Sequence, residues 1–176
     1  MSTIILPETT HVQEGATFRR EHASAGFTAS AILSASLQKV LVDLIELHIQ
    51  GKQAHWNVVG PNFRDLHLQL DEIVDEARQF SDTVAERMRA LRTVPDGRSD
   101  IVAATTSLAQ YPEGEISTRA TVDLIVERLT STVGTLRAVH DDVDAEDPTS
   151  SDLLHVIIAS LEKFVWMLSA ENRDVR

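Results

Sequence analysis

The sequence predicts an all-α protein, a bundle of four long helices with one short helix in a connection. Apolar residues recur every three or four positions over four long segments, and turn-forming residues separate those segments. No window alternates convincingly with a period of two, so we expect no substantial sheet. A chain of 176 residues, 43% of them hydrophobic, can bury the core of one such domain.

The first two helices follow directly from this periodicity. The first is predicted over residues 29–57, and Val59-Gly60-Pro61 ends it because glycine favours a left-handed turn. Asn62 or the turn itself caps a second helix that reaches about Leu91. Val94-Pro95-Asp96-Gly97 then breaks the chain again.

The second half of the chain repeats the pattern. A short helix is predicted over residues 99–109, and Tyr111-Pro112-Glu113-Gly114 closes it. Ser117 begins the third long helix, Glu146-Asp147-Pro148 ends it, and Thr149, Ser150 or Ser151 opens the fourth. The connection between the second and third long helices is too long for a hairpin, so we expect one crossover.

Residues 1–28 lack sustained periodicity and are predicted to form an extended arm before a helical domain over 29–176. The apolar run Ile4–Leu6 is too short for a signal peptide or membrane span, and there are no cysteines. These features predict a cytoplasmic protein without membrane contact. The formal charge of −11 disfavours DNA binding and attracts cations, although such a charge commonly serves solubility alone.

Potential metal ligands cluster on the second helix. At about 100° per residue, four of them share one face. The helix presents His67, Asp71, Asp75, Asp82 and Glu86, and all but Asp75 lie on that face. A solvated helix face is the simpler interpretation, but Arg78 and Arg87 do not neutralise the stripe as the i,i+4 basic partners of such a face would.

The spacing of these residues suggests a two-fold axis. Residues 71 and 82 are about 16.5 Å apart along the helix, too far to hold one ion or a close pair. If two copies of the helix lay antiparallel about a dyad near 76–77, His67 would face Glu86 and Asp71 would face Asp82. Ala77 would permit close approach at the crossing point, although this symmetry of spacing can also arise by chance.

His55, near the end of the first helix, can supply a further donor, and His48 on the same face is a rival. A lone histidine is more often a core residue than a ligand. A set of imidazoles and carboxylates without sulfur suits Fe(II), with Zn(II) and Mn(II) as competitors.

The segment 52–63, KQAHWNVVGPNF, followed by His67, Asp71, Asp82 and Ala85-Glu86-Arg87, closely resembles the signature of the Dps family (DNA protection during starvation). Residues 161–166, LEKFVW, also look like that family's fourth helix, and the resemblance spans about residues 30–172.

The resemblance implies a ferritin-like four-helix bundle assembled as a hollow dodecamer. It implies a two-iron ferroxidase site formed by His55, His67 and Asp71 of one subunit with Asp82 and Glu86 of its two-fold mate. Proteins of this family oxidise Fe(II), preferably with hydrogen peroxide, and store ferric mineral in the shell, which protects against oxidative stress.

The resemblance also implies two further roles. Trp56 matches a tryptophan beside the site that can take up oxidising equivalents, although packing at an interface explains it equally well. Carboxylates between the last two helices line a three-fold pore for Fe(II) in the family, and Asp152 is the best match. The neighbouring acidic residues 141–147 also suit a solvated loop.

The chain departs from the family in its basic residues. Members that bind DNA usually use a Lys-rich arm, whereas residues 1–28 contain only Arg19 and Arg20 against three glutamates. We therefore expect weak or absent DNA binding, with a nucleoid-binding protein as the alternative. A carboxylate-bridged oxygenase or a larger ferritin would need Glu-x-x-His on a helix, and the one instance, Glu8 to His11, lies in the arm.

Overall fold

Four long helices, one short helix and two very short strands make up residues 26–174, the part of the chain that the computed structural model describes. The elements are α1 Ala31–Asn57, β1 Val58–Val59, α2 Phe63–Ala90, α3 Ser99–Thr105, β2 Ile116–Ser117, α4 Thr118–Glu146 and α5 Pro148–Glu171. The all-α four-helix bundle with a short helix in the long connection is therefore confirmed.

The order of packing confirms the crossover. α1 packs mainly against α2 and α4, α4 packs against α5, and α2 makes few contacts with α5. β1 and β2 pair in parallel, Val58 with Ile116 and Val59 with Ser117, so α4 starts beside the end of α1. Because α2 runs about 42 Å away from that point, the connection that contains α3 must return along the whole bundle.

A buried carboxylate on α1 holds this connection in place. Asp43 accepts hydrogen bonds from the Thr106 hydroxyl at 3.0 Å, the Ser107 amide at 2.7 Å and the Ser107 hydroxyl at 2.6 Å. The Thr135 hydroxyl of α4 adds a fourth bond at 2.7 Å. α3 ends at Thr105, four residues before its predicted end, because the next residues turn toward this carboxylate.

Two other predicted boundaries change. Pro148 is the first residue of α5, so residues 149–151 lie inside that helix rather than before it. Asp147 occupies the junction between α4 and α5, and it accepts hydrogen bonds from Arg87 and Ser150. Asn62 takes a left-handed conformation at the start of α2 without a capping bond from its side chain, so the turn makes this start.

The inner face of α2 follows the predicted apolar row. Leu66, Leu70, Ile73 and Val84 are buried, and Phe80 packs against the same core. Ala77 is also fully buried, because it lies one turn after Ile73 on this inner face. The prediction that Ala77 lies at a crossing point between two subunits is therefore wrong.

By length and composition alone, α5 is apolar enough to cross a membrane. Its residues Leu154, Ile157, Leu161 and Leu168 are fully buried in the bundle core. An apolar helix of this kind is a normal element of a helical core, and α5 is one of the four bundle helices. The predicted arm lies outside the described residues except for its last three.

Candidate metal centre

Two histidines and one aspartate converge where α1 and α2 meet. One potential ligand atom from each of His55, His67 and Asp71 lies within 4.8 Å of the others. The short turn between the helices makes this possible, and Gly60 takes a φ of +124° there. A β-carbon at Gly60 would lie 3.3 Å from the Thr118 hydroxyl, so glycine suits the turn both in backbone conformation and in space.

The two imidazoles hold each other in position. Nδ1 of His55 lies 3.1 Å from the carbonyl oxygen of His67, and Nδ1 of His67 lies 3.0 Å from that of His55. Their rings stack with centroids 3.6 Å apart. A carbonyl only accepts, so each Nδ1 carries the hydrogen and each Nε2 keeps a lone pair for a ligand.

The carboxylate of Asp71 contacts the ammonium group of Lys52 and the imidazole ring of His55. Nζ of Lys52 lies 2.6 Å from its Oδ1, and Nδ1 of His55 lies 3.2 Å from the same oxygen. The hydrogen bond from Lys52 lowers the pKa of Asp71 against a smaller opposing effect of burial, and His55 and His67 lower it further. Lys52 was not predicted as part of the site, although it lies three residues before His55 and therefore on a similar face of α1.

The other two predicted ligands lie far along the same helix. Asp82 and Glu86 are exposed on α2, and neither belongs to the group at His55. Asp82 lines a surface cleft of about 660 Å³ together with Asp75, Arg78 and residues of the loop after α2. Within the chain, the structure therefore brings together three of the five predicted ligands.

His48 and Asp75 lie outside the convergent group, which is the one set of three or more such side chains found among residues 26–174. Burial lowers the pKa of His48, and the charges of Arg78 and Lys52 act in the same direction against Asp75. Of the two rival histidines on α1, His55 is thus the one that belongs to the convergent group.

Three large apolar residues close to the group in the sequence are exposed. Trp56 is 67% exposed, and Phe63 and Val59 are also exposed. Phe63 lies beside His67 with ring centroids 5.1 Å apart. Several exposed large apolar side chains near one site are typical of a surface that another protein covers. The predicted pore residue Asp152 is exposed too, in the first turns of α5.

Helices in this order, with paired histidines and an aspartate between the first two, define a ferritin-like protein, and residues 34–176 match the ferritin-like domain family. The chain is 34% identical over 153 residues to the DNA protection during starvation protein of Agrobacterium fabrum, covering 86% of this chain and 92% of the relative. It is 37% identical over 152 residues to the fine tangled pili major subunit of Haemophilus ducreyi, covering 85% and 80%.

Among solved structures, that of Dps from Microbacterium arborescens in a high iron form superposes with a TM-score of 0.76 at 35% identity. The superposition covers 83% of this chain and 98% of that one. The chain therefore belongs to the Dps family of ferritin-like proteins.

Proposed function

We propose that this protein is a ferroxidase that oxidises Fe(II) and stores the ferric product. His55, His67 and Asp71 of one subunit would bind the iron together with Asp82 and Glu86 of a second subunit, at a two-iron site. The observation that carries the proposal is the half-complete group at His55. It offers two fixed imidazoles and one carboxylate, on a surface edged by exposed apolar residues.

The donor set supports iron as the substrate. Neutral imidazole and carboxylate oxygen bind Fe(II), and Zn(II) or Mn(II) would compete for the same atoms. A carbonyl acceptor on Nδ1 of each histidine directs Nε2 toward the ion, the usual orienting arrangement around a metal-bound histidine. Three donors leave positions for the two carboxylates expected from the partner.

Hydrogen peroxide is the proposed oxidant. Two Fe(II) ions each give one electron, the O–O bond breaks, and two protons complete two molecules of water, so no hydroxyl radical is released. Trp56 lies next to His55 and is proposed either to take up stray oxidising equivalents or to pack at the interface. Both roles are compatible with its exposure in one subunit.

We further propose that twelve copies form a hollow shell in the cytoplasm and hold the ferric mineral inside. Asp152 and the acidic residues around it would attract Fe(II) at a pore. In this way the protein would protect against oxidative stress, because it removes both peroxide and the Fe(II) that reacts with it.

DNA binding is the second candidate function, and the names of the relatives favour it. Charge opposes it, since each subunit carries −11 and the predicted arm has two arginines against three glutamates. Affinity for duplex DNA depends mainly on the release of counterions by lysine and arginine. We therefore propose ferroxidation as the main activity.

The test is stopped-flow oxidation of Fe(II) by peroxide or by air, with the native mass measured in parallel. We expect faster oxidation with peroxide, a large loss of rate in His67→Gln, and a mass near that of twelve subunits. His48→Gln is the matched control and should keep its rate. Equal rates for the two histidine variants would overturn the site, and equal rates in air and peroxide would overturn the oxidant.

A further inference from the structure

We propose that His140 and His155 form a second divalent-cation site, which takes a transition-metal ion with a preference for imidazole nitrogen. His140 lies near the end of α4 and His155 in the second turn of α5. These residues are separate from the group at His55, so the proposal does not depend on the ferroxidase site.

The imidazole rings of His140 and His155 face each other through their Nε2 atoms. Nε2 of His140 lies 2.7 Å from Nε2 of His155, with ring centroids 4.7 Å apart. The hydroxyl of Ser151 lies 3.1 Å from the same His140 nitrogen. Nε2 of His140 thus lies close both to a second imidazole nitrogen and to a hydroxyl oxygen, between α4 and α5.

Carboxylates lie on the far side of both rings. Oδ1 of Asp141 is 3.0 Å from Nδ1 of His140, and Oδ1 of Asp152 is 3.9 Å from Nδ1 of His155. The 3.0 Å contact with Asp141 favours a hydrogen on Nδ1 of His140 and a lone pair on its Nε2, as at many histidine ligands of metal ions. The 3.9 Å separation of Asp152 from His155 is longer than a hydrogen bond and does not fix the tautomer of His155.

A cation would remove the conflict that arises between the two rings when both carry their hydrogen on Nδ1. If both rings carry hydrogen on Nδ1, two lone pairs face each other across 2.7 Å, which is repulsive. A divalent ion accepts both lone pairs at once. Two metal–nitrogen bonds of about 2.0–2.1 Å at tetrahedral or right angles separate the nitrogens by about 2.9–3.4 Å, so the rings need to open by only a few tenths of an ångström.

An ion can reach this position. The side chains of His140 and His155 are 25% and 58% exposed, and both line a surface cleft of about 370 Å³ with Arg137, Asp141 and Glu162. The side chain of His155 is the more exposed of the two, so it is the one that would make this small movement. Imidazole donors favour Zn(II) over Fe(II), so Zn(II) is the suitable probe.

The experiment is calorimetric titration of Zn(II) into the full chain at neutral pH, with His67→Ala/Asp71→Ala as the background to reduce binding at the proposed ferroxidase site. We expect His140→Gln and His155→Gln each to lose the same one equivalent per chain. The double variant should also lose one equivalent rather than two, because both rings bind one ion. His48→Gln, a histidine on α1, is the matched control and should keep the background stoichiometry.

The result that overturns the proposal is an unchanged stoichiometry in His155→Gln, which would mean that the rings share a proton instead of a metal ion. A loss of two equivalents in the double variant would also overturn it. Because His155 is the more exposed of the two, its variant carries the test if His140→Gln fails to fold. Asp141→Asn should weaken Zn(II) binding about tenfold relative to Asp142→Asn, and equal affinities would remove the orienting role of Asp141.

Discussion

Lys52 is predicted to compete with the metal ion for Asp71. Its ammonium nitrogen lies 2.6 Å from the carboxylate oxygen that faces His55. At the proposed site, an arriving Fe(II) ion would bind that oxygen and would have to displace the ammonium from it. Lys52→Met keeps a side chain of similar length but removes the charge, so we expect the variant to bind Fe(II) more tightly than the unmodified protein.

The solvent exposure of the Lys52–Asp71 pair sets the size of the expected gain in Fe(II) affinity. Two unit charges near contact are worth about 4 kcal/mol at an effective dielectric constant of 20. The side chains of Lys52 and Asp71 are 32% and 40% exposed, so solvent screens the pair. Exposed pairs contribute up to about 1 kcal/mol, which corresponds to about a fivefold change in dissociation constant. Repulsion between the ammonium and a divalent ion acts in the same direction.

The assay is anaerobic calorimetric titration of Fe(II) into the full-length protein. Lys39→Met is the matched control, because it removes the same charge from an exposed position on roughly the opposite face of α1. We expect a dissociation constant about five times smaller in Lys52→Met than in Lys39→Met. If Lys52→Met binds Fe(II) equally well or less well, the ammonium is not a competitor and the reasoning fails.

Three further predictions concern stability and DNA. Burial opposes ionisation of Asp147, but hydrogen bonds from Ser150 and Arg87 outweigh this effect and lower the pKa of Asp147. Ionised Asp147 therefore stabilises the fold at any pH above the pKa that it has in the unfolded chain. This stability is lost as the pH falls through its lower pKa in the folded protein. Arg87→Met should cost about 2 kcal/mol and lower the melting temperature by about 4–8 °C, with acid unfolding starting at a higher pH; an unchanged acid midpoint would contradict this. Asp43→Asn should lower the free energy of unfolding by about 2–3 kcal/mol and make the crossover connection more sensitive to protease. Equal cleavage rates in the variant and the unmodified protein would show that Asp43 does not hold this connection in place. The assembled protein should not retard duplex DNA at 0.15 M salt; retardation abolished by Arg19→Ala/Arg20→Ala would show that repeated weak contacts suffice.

Helix positions could be predicted from the sequence because each depends on local spacing and on turn residues. The ends that shifted depend on tertiary contacts instead. α3 is shorter because Asp43, more than fifty residues earlier, binds the hydroxyls and amide that follow it. The strands β1 and β2 were missed because two residues are too few to show a period of two.

The candidate site was predictable where its residues share one helix. His67 and Asp71 follow from i,i+4 spacing, whereas the choice of His55 over His48 depended on how α1 packs against α2. Lys52 was missed because its carboxylate partner lies on the next helix.

His140 and His155 were also missed, although a signal existed. The two residues are equidistant from the break at Asp147-Pro148, and such residues meet when two helices fold back on each other. Spacing about a turn can therefore predict a contact between two helices.

The claim that the ferroxidase site lies between two subunits is tested most directly by mixing two defective variants. His67→Ala/Asp71→Ala lacks the imidazole side of the site, and Asp82→Ala/Glu86→Ala lacks the carboxylates expected from the partner. After the two are refolded together, about half of the two-fold dimers should be mixed, and each mixed dimer regains one of its two sites. The mixture should therefore recover about a quarter of the unmodified rate of Fe(II) oxidation with peroxide. If native mass spectrometry shows mixed assemblies and the rate stays at the level of the separate variants, the ligands do not combine across subunits and the account is wrong.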